Sequence, residues 1–178
     1  MARQLFRLPH RQLALWLVLA AVSTAPAMEA APLTEVIGQE PLAVHLAIPE
    51  MLRQAVADPD GSREKHELWL SLDGVRPPAA DVEVRVFINL PDPARVPSSV
   101  ESLHYAGSFT FHREPVAPER MTFLIDLSRV LRRLSPAERQ VEGEMVVTLV
   151  AVPLRKRDTL GGLAIPFERL RLTAPPPG

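Results

Sequence analysis

From residue 42 onward the chain alternates between apolar and polar positions. "LAVHLAI" places Leu42, Val44, Leu46 and Ile48 on one side and His45 on the other, and "HELWLSLDGV" sets Leu68, Leu70 and Leu72 against Trp69 and Ser71. "DVEVRVFINL" turns Val82, Val84, Val86 and Ile88 inward, with Glu83, Arg85 and Phe87 opposite. A period of two is the mark of strands with one face on a core. By the same parity "ESLHYAGSFTFHRE" carries Leu103, Tyr105, Phe109 and Phe111 on one buried face, with Gly107 between them. "MTFLIDL" is a further strand, "EMVVTLVAVPL" is apolar on both sides as a central strand of stacked sheets is, and "LAIPFERLRL" is the last.

Helical spacing is scarce. "LSRVLRRL" groups Leu127, Val130, Leu131 and Leu134 on one face, with Asp126 placed to cap it. "PEMLRQAVADPDGSREK" admits a helical turn inside a longer loop. "PDPARVPSS" is a loop stiffened by prolines and able to hold a shape against a partner. The expected fold is all-β: an antiparallel β-sandwich of about seven strands with one short helix, jelly-roll or immunoglobulin-like in topology.

Composition sharpens this picture. A chain of 178 residues with 47% hydrophobic content suits one domain with its own core, and 19 prolines against 8 glycines suit bounded strands rather than a helical bundle. The formal charge is −1, with basic residues dispersed among acids, so there is no electrostatic footprint for nucleic acid. Residues 1–27 read as a signal peptide: Arg3, Arg7 and Arg11 precede the apolar run "LALWLVLAAV", and Ala25 and Ala27 form an A-x-A cleavage site, with Ala30 as a second. Cleavage after Ala27 would take the charge to −4, since the segment holds three arginines and no acid. The expected location is periplasmic or secreted, the alternative being a membrane anchor formed by the uncleaved signal. A lead-in at 28–37, a domain at 38–173 and a proline-rich tail at 174–178 complete the organisation. The chain has no cysteine, which removes disulfides, thiolate metal ligands and a cysteine nucleophile.

Candidate chemistry is thin. His45, His66, His104 and His112 form no i, i+3 or i+4 pair on the expected helix, and His104 and His112 lie roughly 26 Å apart along an extended strand. The G-x-S-x-G signature of a nucleophile elbow does not occur. The paired glycines of "TLGGLAI" read as a turn, and Asp58 and Asp60 sit in turn composition without the ligand spacing of a calcium loop. No catalytic residue, metal ligand or cofactor is expected.

The ordered runs "ELWLSLDGV", "VEVRVFINLPD", "HYAGSFTFH", "FLIDLSRVLRRL", "EMVVTLVAV" and "LGGLAI" resemble the C-terminal KFDV-type domain of plant polyphenol oxidases and related bacterial tyrosinases. "QEPLAVHLAIPE" is similar to the strand that opens that domain, so the resemblance spans roughly residues 38 to 173. The naming tetrapeptide aligns with Glu83-Val84-Arg85-Val86, both charges reversed. The family's dicopper catalytic domain has no counterpart among these runs. In that family the sandwich packs over the entrance of the copper site. The resemblance therefore implies an exported, non-catalytic accessory or shielding domain, acting in trans on a tyrosinase-like dicopper oxidase encoded separately. The alternative is a free-standing periplasmic structural or ligand-binding sandwich. Because some secreted tyrosinase helpers present an aromatic to the copper site, Tyr105 acquires a partner-directed reading beside the core role its parity gives it. Arg95 and Val96, in the proline-rich loop, are the other candidate contacts.

Overall fold

The computed structural model describes residues 35–59, 67–95, 100–112, 120–139, 143–155 and 159–175. The expected signal segment, Asp60, His66, Val96 and the last three residues lie outside them. Among the described residues nine strands form three antiparallel sheets. The strands are β1 (Glu35–Ile37), β2 (Leu42–Ala47), β3 (Trp69–Val75), β4 (Val82–Ile88), β5 (Tyr105–Phe111), β6 (Met121–Asp126), β7 (Glu144–Pro153), β8 (Ile165–Phe167) and β9 (Arg169–Thr173). A four-stranded sheet runs β2-β7-β4-β5, a three-stranded sheet runs β6-β3-β9, and β1 pairs with β8.

The architecture is the expected sandwich, and its core is built from the alternating positions. Val82, Val84, Val86 and Ile88 of β4 and Met145, Val147 and Leu149 of β7 are fully buried against Leu68, Leu70 and Leu72, the last two on β3. β7 lies between β2 and β4; Met145, Val147 and Leu149 on its inner face are buried, and Val146, Val150 and Val152 on the outer face are partly buried. The β3–β6 and β4–β7 pairings are those of strands B–E and C–F in an immunoglobulin sandwich, whereas the outer strands are exchanged: β2 joins β7, and β9 joins β3.

Three elements depart from the period-two reading. The lead-in contains β1, with Ile37 completely buried and paired to Ile165. The last run splits into β8 and β9, which belong to different sheets, and Pro166, with no N–H to donate, sits in the short pair while its carbonyl accepts the Arg76 N–H at 3.0 Å. In β3 the register slips between Leu72 and Val75, where Gly74 has φ +67° and a Cβ would fall 2.5 Å from the Glu168 carboxylate. Helices are short. A 3-10 turn (Glu50–Leu52) leads into α1 (Arg53–Ala57), and α2 is Ser128–Arg133. Asp126 accepts the Ser128 N–H at 2.8 Å at the start of α2, the expected capping role carried out one residue before the cap position. Among the described residues no helix is long and apolar enough to cross a membrane.

Candidate functional site

The strand from Tyr105 is where sequence parity and geometry disagree. β5 pairs with β4 as Phe111 to Val82, Phe109 to Val84 and Gly107 to Val86, and then slips so that Tyr105 faces Phe87. One extra residue, Ala106, is accommodated as a β-bulge, and a bulge reverses the side on which the preceding residue points. Tyr105 therefore leaves the face shared by Phe109 and Phe111 and joins Phe87 on the outer face of the four-stranded sheet, its ring edge-on with centroids 5.7 Å apart. Phe87 is fully buried and Tyr105 half-buried. Leu103, expected on the buried face, precedes the strand in a turn and is 57% exposed.

Gly107 has a separate reason for its identity. A Cβ there would lie 3.2 Å from Cγ2 of Ile125 on β6, so the two sheets approach closely because this residue has no side chain. Beyond it, Phe109 stacks on Phe123 with centroids 4.2 Å apart, and Phe111 meets both rings edge-on.

Around Tyr105 the polar groups form a clamp. Arg133, at the end of α2, donates to the Tyr105 carbonyl. His104 donates from Nδ1 to the Ile88 carbonyl at 2.9 Å, which fixes its tautomer. Asn89, with φ 49°, accepts the Val146 N–H at 2.7 Å and donates to the Glu138 carbonyl at 2.9 Å, joining the end of β4 to the segment after α2. The pKa of the Glu138 carboxyl is lowered, first by the Ser135 side chain and then by the Ser135 N–H. Arg139 donates to the carbonyls of Leu131, Leu134 and Ala57 and so closes α2.

The same end of the sandwich presents apolar surface. Val100 is 46% exposed beside Leu103, and Arg95 is exposed on the loop, ion-paired to Asp92 at 3.4 Å. An Asp92 carboxylate bond to the Ala94 N–H at 3.1 Å orders the start of that loop. Of the sequence-derived candidates, the structure places Tyr105 at this end and Arg95 on the adjoining loop. Val100, Leu103 and Arg133 were missed, since neither parity nor helical spacing marks an exposed leucine or a backbone-directed arginine.

Among the described residues no histidine cluster forms, and no three His, Asp or Glu groups gather as a metal site. His45 instead contacts Glu144 at 3.2 Å on an exposed face. Arg85 donates to Glu83 at 2.9 and 3.0 Å, so the charge-reversed tetrapeptide keeps an ion pair. At the opposite end of β4 an open cavity of about 630 Å³ lies between Pro78, Asp81 and Arg155 and the turn at Gly161 and Gly162. The paired glycines are that turn, with the Leu163 N–H on the Leu160 carbonyl at 2.9 Å.

No protein-family model matches the sequence, and no curated protein matches it. Solved structures do. Latent apple tyrosinase superposes with a TM-score of 0.52 at 18% identity, and recombinantly expressed latent aurone synthase, a polyphenol oxidase, with 0.54 at 16%; each match covers 79% of this chain. This fold recurs in latent polyphenol oxidases. The chain spans only about a quarter of their length, 27% and 25% respectively.

Proposed function

We propose that this protein is a non-catalytic accessory or shielding domain of the KFDV type, exported by its signal segment and acting on a separately encoded dicopper oxidase by direct contact. The observation that carries the reading is the fold match: nearly four-fifths of this chain is structurally similar to a quarter of two enzymes solved in latent form. The family resemblance supplies the role, a sandwich set over the entrance of a copper site. The docking surface is the loop end around Tyr105, where Val100 and Leu103 are exposed and Arg95 extends from the adjoining loop. Prolines in that loop reduce the entropy lost on docking.

The test is co-purification with a dicopper oxidase encoded beside it, followed by titration of phenol oxidation. The expected result is a complex at micromolar concentration with changed activity or copper loading. Replacing Arg95 and Val96 with Gly and Ser is expected to weaken that effect without unfolding the sandwich. The protein alone is expected to oxidise no phenol and to retain no stoichiometric copper after dialysis. Failure to form a complex, with activity and copper content unchanged, would favour the second reading, a free-standing ligand-binding sandwich, which has the cavity beside Asp81 and Arg155 in its support.

A further inference from the structure

The four-stranded sheet ends on β2, and among the described residues no strand pairs with its outer edge. The Ile48 N–H donates to the Gly143 carbonyl at 3.1 Å, in the register that pairs Leu46 with Met145, Val44 with Val147 and Leu42 with Leu149. Hydrogen-bonded pairs alternate along an antiparallel ladder. The even-numbered residues thus direct their backbone groups to β7, and Ala43, His45 and Ala47 turn both N–H and C=O away from it. All three are exposed.

Edges are ordinarily guarded by charge, proline or a bulge. "LAVHLA" has none of these within it. Pro41 and Pro49 stand just outside, each four residues from His45. The open ladder is therefore bounded symmetrically about His45, because a proline offers no N–H to a ladder.

We propose that this edge pairs antiparallel with the same edge of a second copy of the chain, with the two-fold axis at His45. In that register Ala43 of one copy faces Ala47 of the other, His45 faces His45, and every outward N–H meets an outward C=O. Sliding the pair by two residues brings Pro41 or Pro49 into the ladder, so the sequence selects one register. On the core side, Leu42, Val44 and Leu46 are only partly buried in the single chain. Pairing sets Val44 of one copy against Leu46 of the other at a non-hydrogen-bonded position, where side chains approach most closely. On the outer side each His45 keeps Glu144 of its own chain at 3.2 Å, so the paired imidazoles meet flanked by carboxylates. Two other edges are guarded: β5 is bulged and its Tyr105 carbonyl is taken by Arg133, and β9 exposes Arg169 and Arg171.

The absence of native cysteine makes the register directly testable in the full-length protein. Paired Cα atoms about 5.5 Å apart lie within disulfide range. Under mild oxidation His45→Cys is expected to form a covalent dimer. Ala43→Cys, whose counterpart lies roughly 13 Å along the ladder, is expected to stay monomeric. In sedimentation equilibrium the unmodified protein is expected to dimerise reversibly, and Ala47→Pro, which removes an outward N–H and leaves the β7 ladder intact, is expected to weaken that dimer about tenfold or more. Ala43→Lys replaces it should the proline variant not fold. A monomer at hundreds of micromolar, or equal cross-linking at positions 43 and 45, would overturn the proposal.

Discussion

At one side of the four-stranded sheet β5 is bulged at Ala106, its Tyr105 carbonyl is taken by Arg133, and Phe109 and Phe111 carry its apolar face onto Phe123 of the opposite sheet. At the other side β2 is straight, uncharged and exposed along its outward backbone. Both strands alternate cleanly in sequence. The difference lies in what each meets across the sandwich: β5 has an aromatic cluster that ties the two layers together, and β2 has three aliphatic side chains that remain half-buried. A sheet edge is thus closed by tertiary partners and left open where they are lacking.

The sharpest way to break this comparison is to remove the aromatic tie. Phe111 is 3% exposed and touches two other rings, so Phe111→Ala is expected to cost about 3–5 kcal/mol in urea denaturation. Val44→Ala on β2 is expected to cost only about 1 kcal/mol, as a half-buried aliphatic. Equal losses at the two positions would remove the distinction between the edges.

Gly107→Val tests the close approach of β5 to β6. The new side chain must displace Ile125, and a loss of about 1–3 kcal/mol is expected, with a smaller one for Gly107→Ala. A neutral valine would mean that the layers separate there without cost.

Tyr105 discriminates the bulge from the parity reading. A ring half-buried on the outer face is expected to cost about 1–2 kcal/mol on truncation to alanine, below the loss at Phe111. Tyr105→Phe is expected to change stability by less than about 0.5 kcal/mol. A loss at Tyr105→Ala matching that at Phe111 would place the ring back in the core.

The smallest expected effect concerns β9, an edge guarded by charge. Arg171 donates to Asp73 at 2.9 Å, and Ser71 donates to the same carboxylate at 2.7 Å. Burial alone would raise the pKa of Asp73, but these bonds and the charges of Arg171 and Arg169 outweigh it and hold the group below its ordinary 3.8. Because the folded-state value is depressed, the contribution to stability is complete above the unfolded-state value and is lost as pH falls through the lower, folded one. Asp73→Asn is accordingly expected to lower stability slightly near neutral pH and to flatten the loss seen below about pH 4. An acid limb unchanged by the substitution would show that this pair does not guard the edge.

The expected sandwich emerged because burial on one face imposes a period of two, and that pattern is local: Val82 to Ile88 and Leu68 to Leu72 reveal their inward sides without knowledge of any partner. The both-sided apolarity of β7 likewise announced a central strand. The candidate site was less accessible. A single inserted residue, Ala106, reverses the side on which Tyr105 points, and parity carries no record of an insertion. The glycine beside it is the one local signal that could have raised the possibility, since glycine inside a strand marks a bulge or a close approach. Here both occur within two residues.

Which residues alternate, where α2 begins and the lack of any thiol were set by the chain itself, because each depends on neighbours a few residues away. Whether Leu103 is covered, which sheet receives β8 and β9, and that Arg133 reaches the Tyr105 carbonyl were decided only on folding. These depend on contacts between segments far apart in sequence, whose approach is governed by the packing of one layer on the other and leaves no periodic trace in the chain.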